Sequence, residues 1–213
     1  MGISYGDISR YILIITAIAA TIYYKKQLGT HLQFLKYYLW YAVVLEVGAF
    51  YLWAEFRIAN TWWYNIGINI EILFYLFLFY QYIENNKTKN FILIGGAIYE
   101  AYFLINYLFL TESWNTLQSL PFSIGGLLVI AVVFIFLVEM FQSDKILYIA
   151  KYLIFWVSLG LLFYNIIPLP FFVVRNIITK DLQIYLMYIQ FTANILMYVS
   201  FIYGFIWSTM KYK

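Results

Sequence analysis

Apolar and aromatic residues gather in seven long runs, at approximately 8–24, 34–54, 64–82, 90–110, 119–141, 149–169 and 184–208. A hydrocarbon core takes about 20 helical residues to cross, and the runs have roughly that length. The polar residues inside them recur at helical spacing. Gln183, Met187, Gln190 and Asn194 follow one another by 4, 3 and 4 positions along a single stripe, and Asn65 and Asn69 share a face. The pattern predicts an all-α polytopic membrane protein, a bundle of seven transmembrane helices forming one domain over residues 1–213. Connections of no more than about fifteen residues leave no room for a separate soluble domain.

Composition changes the picture only by narrowing it. The chain of 213 residues is 65% hydrophobic, 23% aromatic and 11% charged, with mean hydropathy +0.80, whereas soluble proteins are about a quarter charged. The first run has neither a basic stretch before it nor an A-x-A-like cleavage site after it, so it reads as a retained helix. The absence of cysteine excludes disulfides, thiolate metal sites and a cysteine nucleophile.

Charge supplies an orientation. Lys25, Lys26 and Lys36 flank the first connection, Lys87 and Lys89 lie in the third, Lys145 and Lys151 flank the fifth, and Lys211 and Lys213 end the chain. The alternate side carries only Arg10, Arg57, Arg175 and Lys180. The positive-inside rule then puts the N-terminus outside and the C-terminus in the cytoplasm. Trp53, Trp62, Trp63 and Trp114 mark the expected outer interface. The expected location is the cell membrane, as a multi-pass protein of a bacterial inner membrane.

Local punctuation refines the runs. Pro168 and Pro170 should end the sixth helix. The following "FFVVRNIITKD" is too short to span, and a plain loop is favoured over an interfacial segment. "LIGGAI" and "SIGGLLV" carry paired glycines that allow helices to approach closely; neither has the lysine or strand context of a phosphate loop.

Candidate chemistry lies with polar groups inside the runs. Glu71 sits about seven residues, roughly 10 Å, from the outer end of the third helix. Glu46 has a similar depth in the second, and Glu100 lies near the middle of the fourth. With no lysine at matching depth, these carboxyls must be protonated, hydrated or paired with a group from elsewhere. Asn65, Asn69, Asn106, Asn165, Gln190 and Asn194 fall in the same outer half. An inward-facing polar pocket bounded by helices 2, 3, 4, 6 and 7 follows, with Glu46, Asn69, Glu71, Glu100, Asn106, Asn165, Gln190 and Asn194 as its expected ligand-binding residues. Any single asparagine is more simply interhelical glue, a bond of about 0.6 kcal/mol on average. Glu139 is better read as an interfacial partner of Lys145, and the lone His31 as a solvated loop residue.

Enzyme classes fare poorly against these residues. The layout resembles microbial rhodopsins, but "IYLMYIQFTANILMYVSFIYGF" has no lysine to carry retinal. Ceramidase-type seven-helix hydrolases need a histidine set for zinc, and there is one histidine; intramembrane aspartyl proteases need paired aspartates, and Asp7, Asp144 and Asp181 lie at helix ends or in loops. The layout is also similar to SWEET-type sugar transporters, without a matching repeat between helices 1–3 and 5–7. "WWYNIGINIEILFYLFLFYQYI" and "FTANILMYVSFIYGFIW" resemble segments of uncharacterised seven-helix membrane proteins of the Bacteroidota. That resemblance implies the seven-helix fold and carries over no activity.

The expected function is that of a receptor-like or accessory sensing subunit with an outward-facing pocket, acting through a signalling partner protein because it has almost no cytoplasmic mass. A small solute or ion/proton-coupled transporter, or a purely structural subunit, is the alternative. No cofactor, metal or nucleic acid is expected; the expected partners are the lipid bilayer, a small-molecule or cation ligand, and the signalling protein. The bulky run "ILFYLFLFY" below Glu71 favours a sealed inner half, and so sensing over transport.

Overall fold

The computed structural model describes residues 5–27, 30–110, 116–170, 180–209 and 211, and the side chains of all of these except 180–184. They are all-helical, without a strand. The elements are α1 (Tyr5–Ile22), α2 (Leu35–Ala54), α3 (Thr61–Tyr82), α4 (Asn86–Ile105), α5 (Ser119–Phe141), α6 (Leu153–Ile166) and α7 (Lys180–Trp207). Five of them are long and apolar enough to cross a membrane: α1, α3, α4 with its following turn, α5, and α7 from Tyr185 onward. In α2 the 20 residues are diluted by tyrosines, tryptophans, Lys36 and Glu46. Only 14 residues make up α6, an apolar helix below that length.

The sixth helix begins later than its apolar run suggests. A 3-10 segment, Asp144–Lys151, precedes it, with Tyr148 out of helical geometry at φ −129°, ψ 25° and Tyr152 extended at φ −98°, ψ 126°. Trp156 reaches back from α6, its Nε1–H donating to the Ala150 carbonyl at 2.9 Å. At its other end α6 stops at Ile166, two residues before Pro168, as the missing donor of proline requires. The segment 171–179, where the interfacial reading of "FFVVRNIITKD" falls, lies outside the described residues, as does Trp114.

Contacts between connections show that the helices alternate in direction. Lys26, after α1, donates from Nζ to the carbonyl of Ile206 near the end of α7, at 3.3 Å. Leu32, before α2, donates its backbone N–H to the Tyr82 hydroxyl at the end of α3, at 3.0 Å. Lys145 pairs with Glu84 at 3.7 Å, and Thr209 N–H bonds the Lys151 carbonyl at 3.0 Å. One end of the bundle therefore gathers Lys26, Lys145 and Lys151. Glu139, expected beside Lys145, accepts the Glu84 backbone N–H at 3.3 Å, so both Glu139 and Lys145 tie the α3–α4 connection to α5.

The helices enclose a hollow rather than packing around a central one. Contacts run α2 to α3, α3 to α5, α5 to α6 and α6 to α7, while α1 bridges α7 and α2. Outside this ring lies α4, packed against α3 and α5. The paired glycines permit that arrangement. A Cβ at Gly125 would come within 2.7 Å of both Ile72 and the Tyr99 ring, and one at Gly95 would meet Leu128 at 3.1 Å.

At the lysine-rich end the ring is filled. Phe79 and Phe136 meet edge to face at 5.3 Å, and with Leu39, Met140, Ile154 and Phe201 they are fully buried. At the other end it is not filled.

Candidate functional site

A cavity of about 480 Å³ occupies the emptier half of the ring, within the range of small-molecule sites. Its walls come from α2, α3, α5, α6 and α7. Helix 4, expected in this wall, contributes nothing because it packs outside the ring; α5 takes its place through Phe122, Ser123 and Gly126.

The α3 wall is one stripe. Tyr64, Ile68, Glu71 and Tyr75, spaced 4, 3 and 4, face the cavity, as helical geometry dictates. Opposite, α7 presents Met187, Gln190, Asn194 and Tyr198, a continuation of its sequence stripe by one more turn. The side chain of Gln183, which begins that stripe, is outside the described residues.

Glu71 stands about midway along α3, with the hydroxyls of Tyr38 and Tyr75 as its hydrogen-bonding neighbours. The Tyr75 hydroxyl also donates to that of Tyr38 at 2.9 Å. Tyr38 is fixed in turn by stacking on Phe74, centroids 4.5 Å apart and planes within 7°. Tyr38 and Tyr75 form the floor beneath Glu71. Glu46 accepts from the Tyr64 hydroxyl at 3.2 Å, higher in the same cavity. Arg10 of α1 lies within electrostatic range of Glu46, bonded to Asp7 and placed 4.3 Å over the Phe50 ring.

Asn165 uses its amide N–H on the Leu161 carbonyl of its own helix at 2.8 Å, leaving Oδ1 toward Gly126. Gln190 approaches Tyr164 as a hydrogen-bonding neighbour, and its Oε1 is buried without a partner among the described residues.

The chain matches no family model, no curated protein and no solved structure. Its reading therefore rests on its own geometry.

Of the residues expected to bind a ligand, Glu46, Glu71, Asn165, Gln190 and Asn194 line the cavity, and Asn69, Glu100 and Asn106 do not. Asn69 and Glu71 are two positions apart and point about 160° from each other around α3. The consequence is visible: Glu71 faces the cavity while Asn69 faces α4 and donates to Glu100 Oε2 at 3.0 Å. Asn106 opens a π-helical turn, Asn106–Leu110, that ends the α4 rod. Asn65 is fully buried and binds the chain leading into α5.

Sequence reasoning missed the tyrosines. Tyr38, Tyr41, Tyr64, Tyr75, Tyr164 and Tyr198 all line the cavity. The signal was present in the spacing of Tyr64 and Tyr75 about Glu71, and of Tyr198 four residues beyond Asn194. Among the described residues no group of three His, Cys, Asp or Glu side chains is placed to hold a metal ion.

Proposed function

We propose that the protein is a receptor-like or accessory sensing subunit of the cell membrane, with seven membrane crossings, the cavity opening outward and the lysine-rich end in the cytoplasm. The observation that carries this reading is the division of the ring into a hollow half and a filled one. A solute in the cavity meets Tyr38 and Tyr75, and toward the lysine-rich end lie buried side chains. A site closed on one side suits a ligand that binds and shifts a helix equilibrium, which requires different affinities for the two arrangements. In this reading the signal passes to a partner chain.

Two further crossings, by α2 and α6, are supported by the alternating helix directions. Lysines on that side also rest on tyrosine rings, Lys36 at 3.5 Å over Tyr24 and Lys151 at 4.8 Å over Tyr148, as suits an interfacial collar.

Orientation is checked with single cysteines, which report without background in a chain that has none. Lys87→Cys should be protected from an impermeant maleimide added to intact cells, and Ile58→Cys labelled; the reverse pattern would invert the proposal. Sensing is separated from transport in proteoliposomes. Uptake of radiolabelled glucose, sucrose or 2-phenylethylamine should equal that of protein-free vesicles. Uptake above that level would replace the sensing reading by the transporter of SWEET-like layout.

A further inference from the structure

The acidic groups of the cavity are Glu71 and Glu46, whose carboxyls line it, and Asn165 turns its Oδ1 toward Gly126. Around these carboxyls the Tyr64 hydroxyl donates to Glu46 and that of Tyr75 to Tyr38, which leaves the Tyr38 proton for Glu71. Carboxyls in such a place favour a ligand that brings donors. An alkylammonium group has three donors and no acceptor.

Charge points the same way. Arg10 acts on Glu46 and is bonded to Asp7, so the two carboxyls on that side share one guanidinium. Glu71 forms no ion pair among the described residues; its hydrogen-bonding neighbours are hydroxyls, and Glu46 is a second carboxyl within electrostatic range. An ionised carboxylate at this depth has a large desolvation cost, relieved when it takes up a proton or when a cation joins it. Tyr41, Tyr64, Tyr164, Tyr198, Phe122 and Phe191 line the same space. Aromatic walls with an anionic centre attract a cation through the ring quadrupoles and accept an apolar body by contact.

We propose that the cavity binds an organic monocation, an ammonium group carried on an apolar or aromatic body, with Glu71 as its counter-charge. The inference rests on the reading of the cavity as a ligand site. An inorganic cation would leave most of the 480 Å³ and its aromatic lining unfilled. An anionic solute would meet two carboxyls.

The test uses the full chain in lipid nanodiscs and three probes of nearly equal shape: 2-phenylethylamine, 2-phenylethanol and 3-phenylpropionate. Binding is read by isothermal titration and by the shift in melting temperature. The amine should bind at least about tenfold more tightly than the alcohol, and the carboxylate least, since only the amine pairs with a buried charge. Glu71→Gln should bring amine and alcohol to within about threefold of each other, through weaker binding of the amine. Should Glu71→Gln not fold, the ranking of the three probes on the wild type decides by itself. Equal or tighter binding of the alcohol or the carboxylate overturns the proposal, as does a complete lack of amine binding or an amine preference that survives Glu71→Gln. Glucose or sucrose binding in place of the amine would sink the cation assignment and leave the ligand cavity standing. Amine that binds and is also taken up by proteoliposomes would do the opposite, keeping the cation site and removing the sensing function.

Discussion

Asn65→Ala is expected to destabilise the protein by about 3 kcal/mol, read as a lower midpoint in detergent-titrated unfolding, without loss of the helical signal at low denaturant. Asn65 is fully buried in α3. Its Nδ2–H donates to the Thr116 carbonyl at 2.9 Å, and its Oδ1 accepts the Gln118 backbone N–H at 3.2 Å. One amide thus fastens the chain entering α5 to the wall of α3. Alanine removes both bonds and takes this acceptor from the buried Gln118 N–H, a loss of about 1–3 kcal/mol, while the carbonyl of the exposed Thr116 can turn to solvent. Asn165 is the internal comparison. Its amide returns to its own helix, so Asn165→Ala should cost about 1 kcal/mol or less. Equal effects at the two positions would show that the staple does not hold α5.

Gly160→Val should cost a similar amount, about 3 kcal/mol, at the upper end of what overpacking does. The α6–α7 contact is the most extensive in the bundle. A Cβ on Gly160 would lie 2.9 Å from the carbonyl oxygen of Met197 and 2.8 Å from Cε1 of the buried Phe201. Side chains can turn aside, but a helical carbonyl cannot, so the two helices must separate. Gly96→Ala provides the contrast on α4. Its Cβ would meet only Leu76 Cδ1, at an ordinary 3.5 Å, and alanine is the better helix former by about 1 kcal/mol. Melting temperatures should therefore fall for Gly160→Val and hold or rise for Gly96→Ala. A Gly160→Val protein as stable as wild type would mean that α6 and α7 are not held by backbone approach.

The helices were legible because apolar length and polar breaks are local. The α5 run 119–141 coincides with Ser119–Phe141, and α2 and α3 end where their runs end. The later start of α6 was less so, since Ile146, Leu147 and Ile149 are as apolar as helix interior and only the extended Tyr152 separates the two segments. Faces were legible too, because spacing around an axis is fixed: Glu71 and Asn69 had to serve different neighbours. Which neighbours was not. Periodicity orients a side chain from its own axis and is silent about the helix beyond, so Glu100 was assigned to the cavity when it answers Asn69 behind α3. The tyrosines were hidden by their chemistry. An amphipathic ring serves equally at a bilayer interface, in a core and around a ligand, and with 23 tyrosines in the chain their number marked no place.

The uneven filling of the ring also has a kinetic side. Opening free energy follows buried contact, so it should rise along the bundle axis from the cavity toward Phe79, Phe136 and Phe201. Amides of α2, α3 and α7 near the hollow then exchange with solvent through small local excursions, whereas those at the lysine-rich end exchange only when the whole bundle comes apart. A molecule seated beside Glu71 would slow the first class and leave the second at its original rate. Occupancy would be written into the protein as a loss of motion at one end, over a base too well packed to register it.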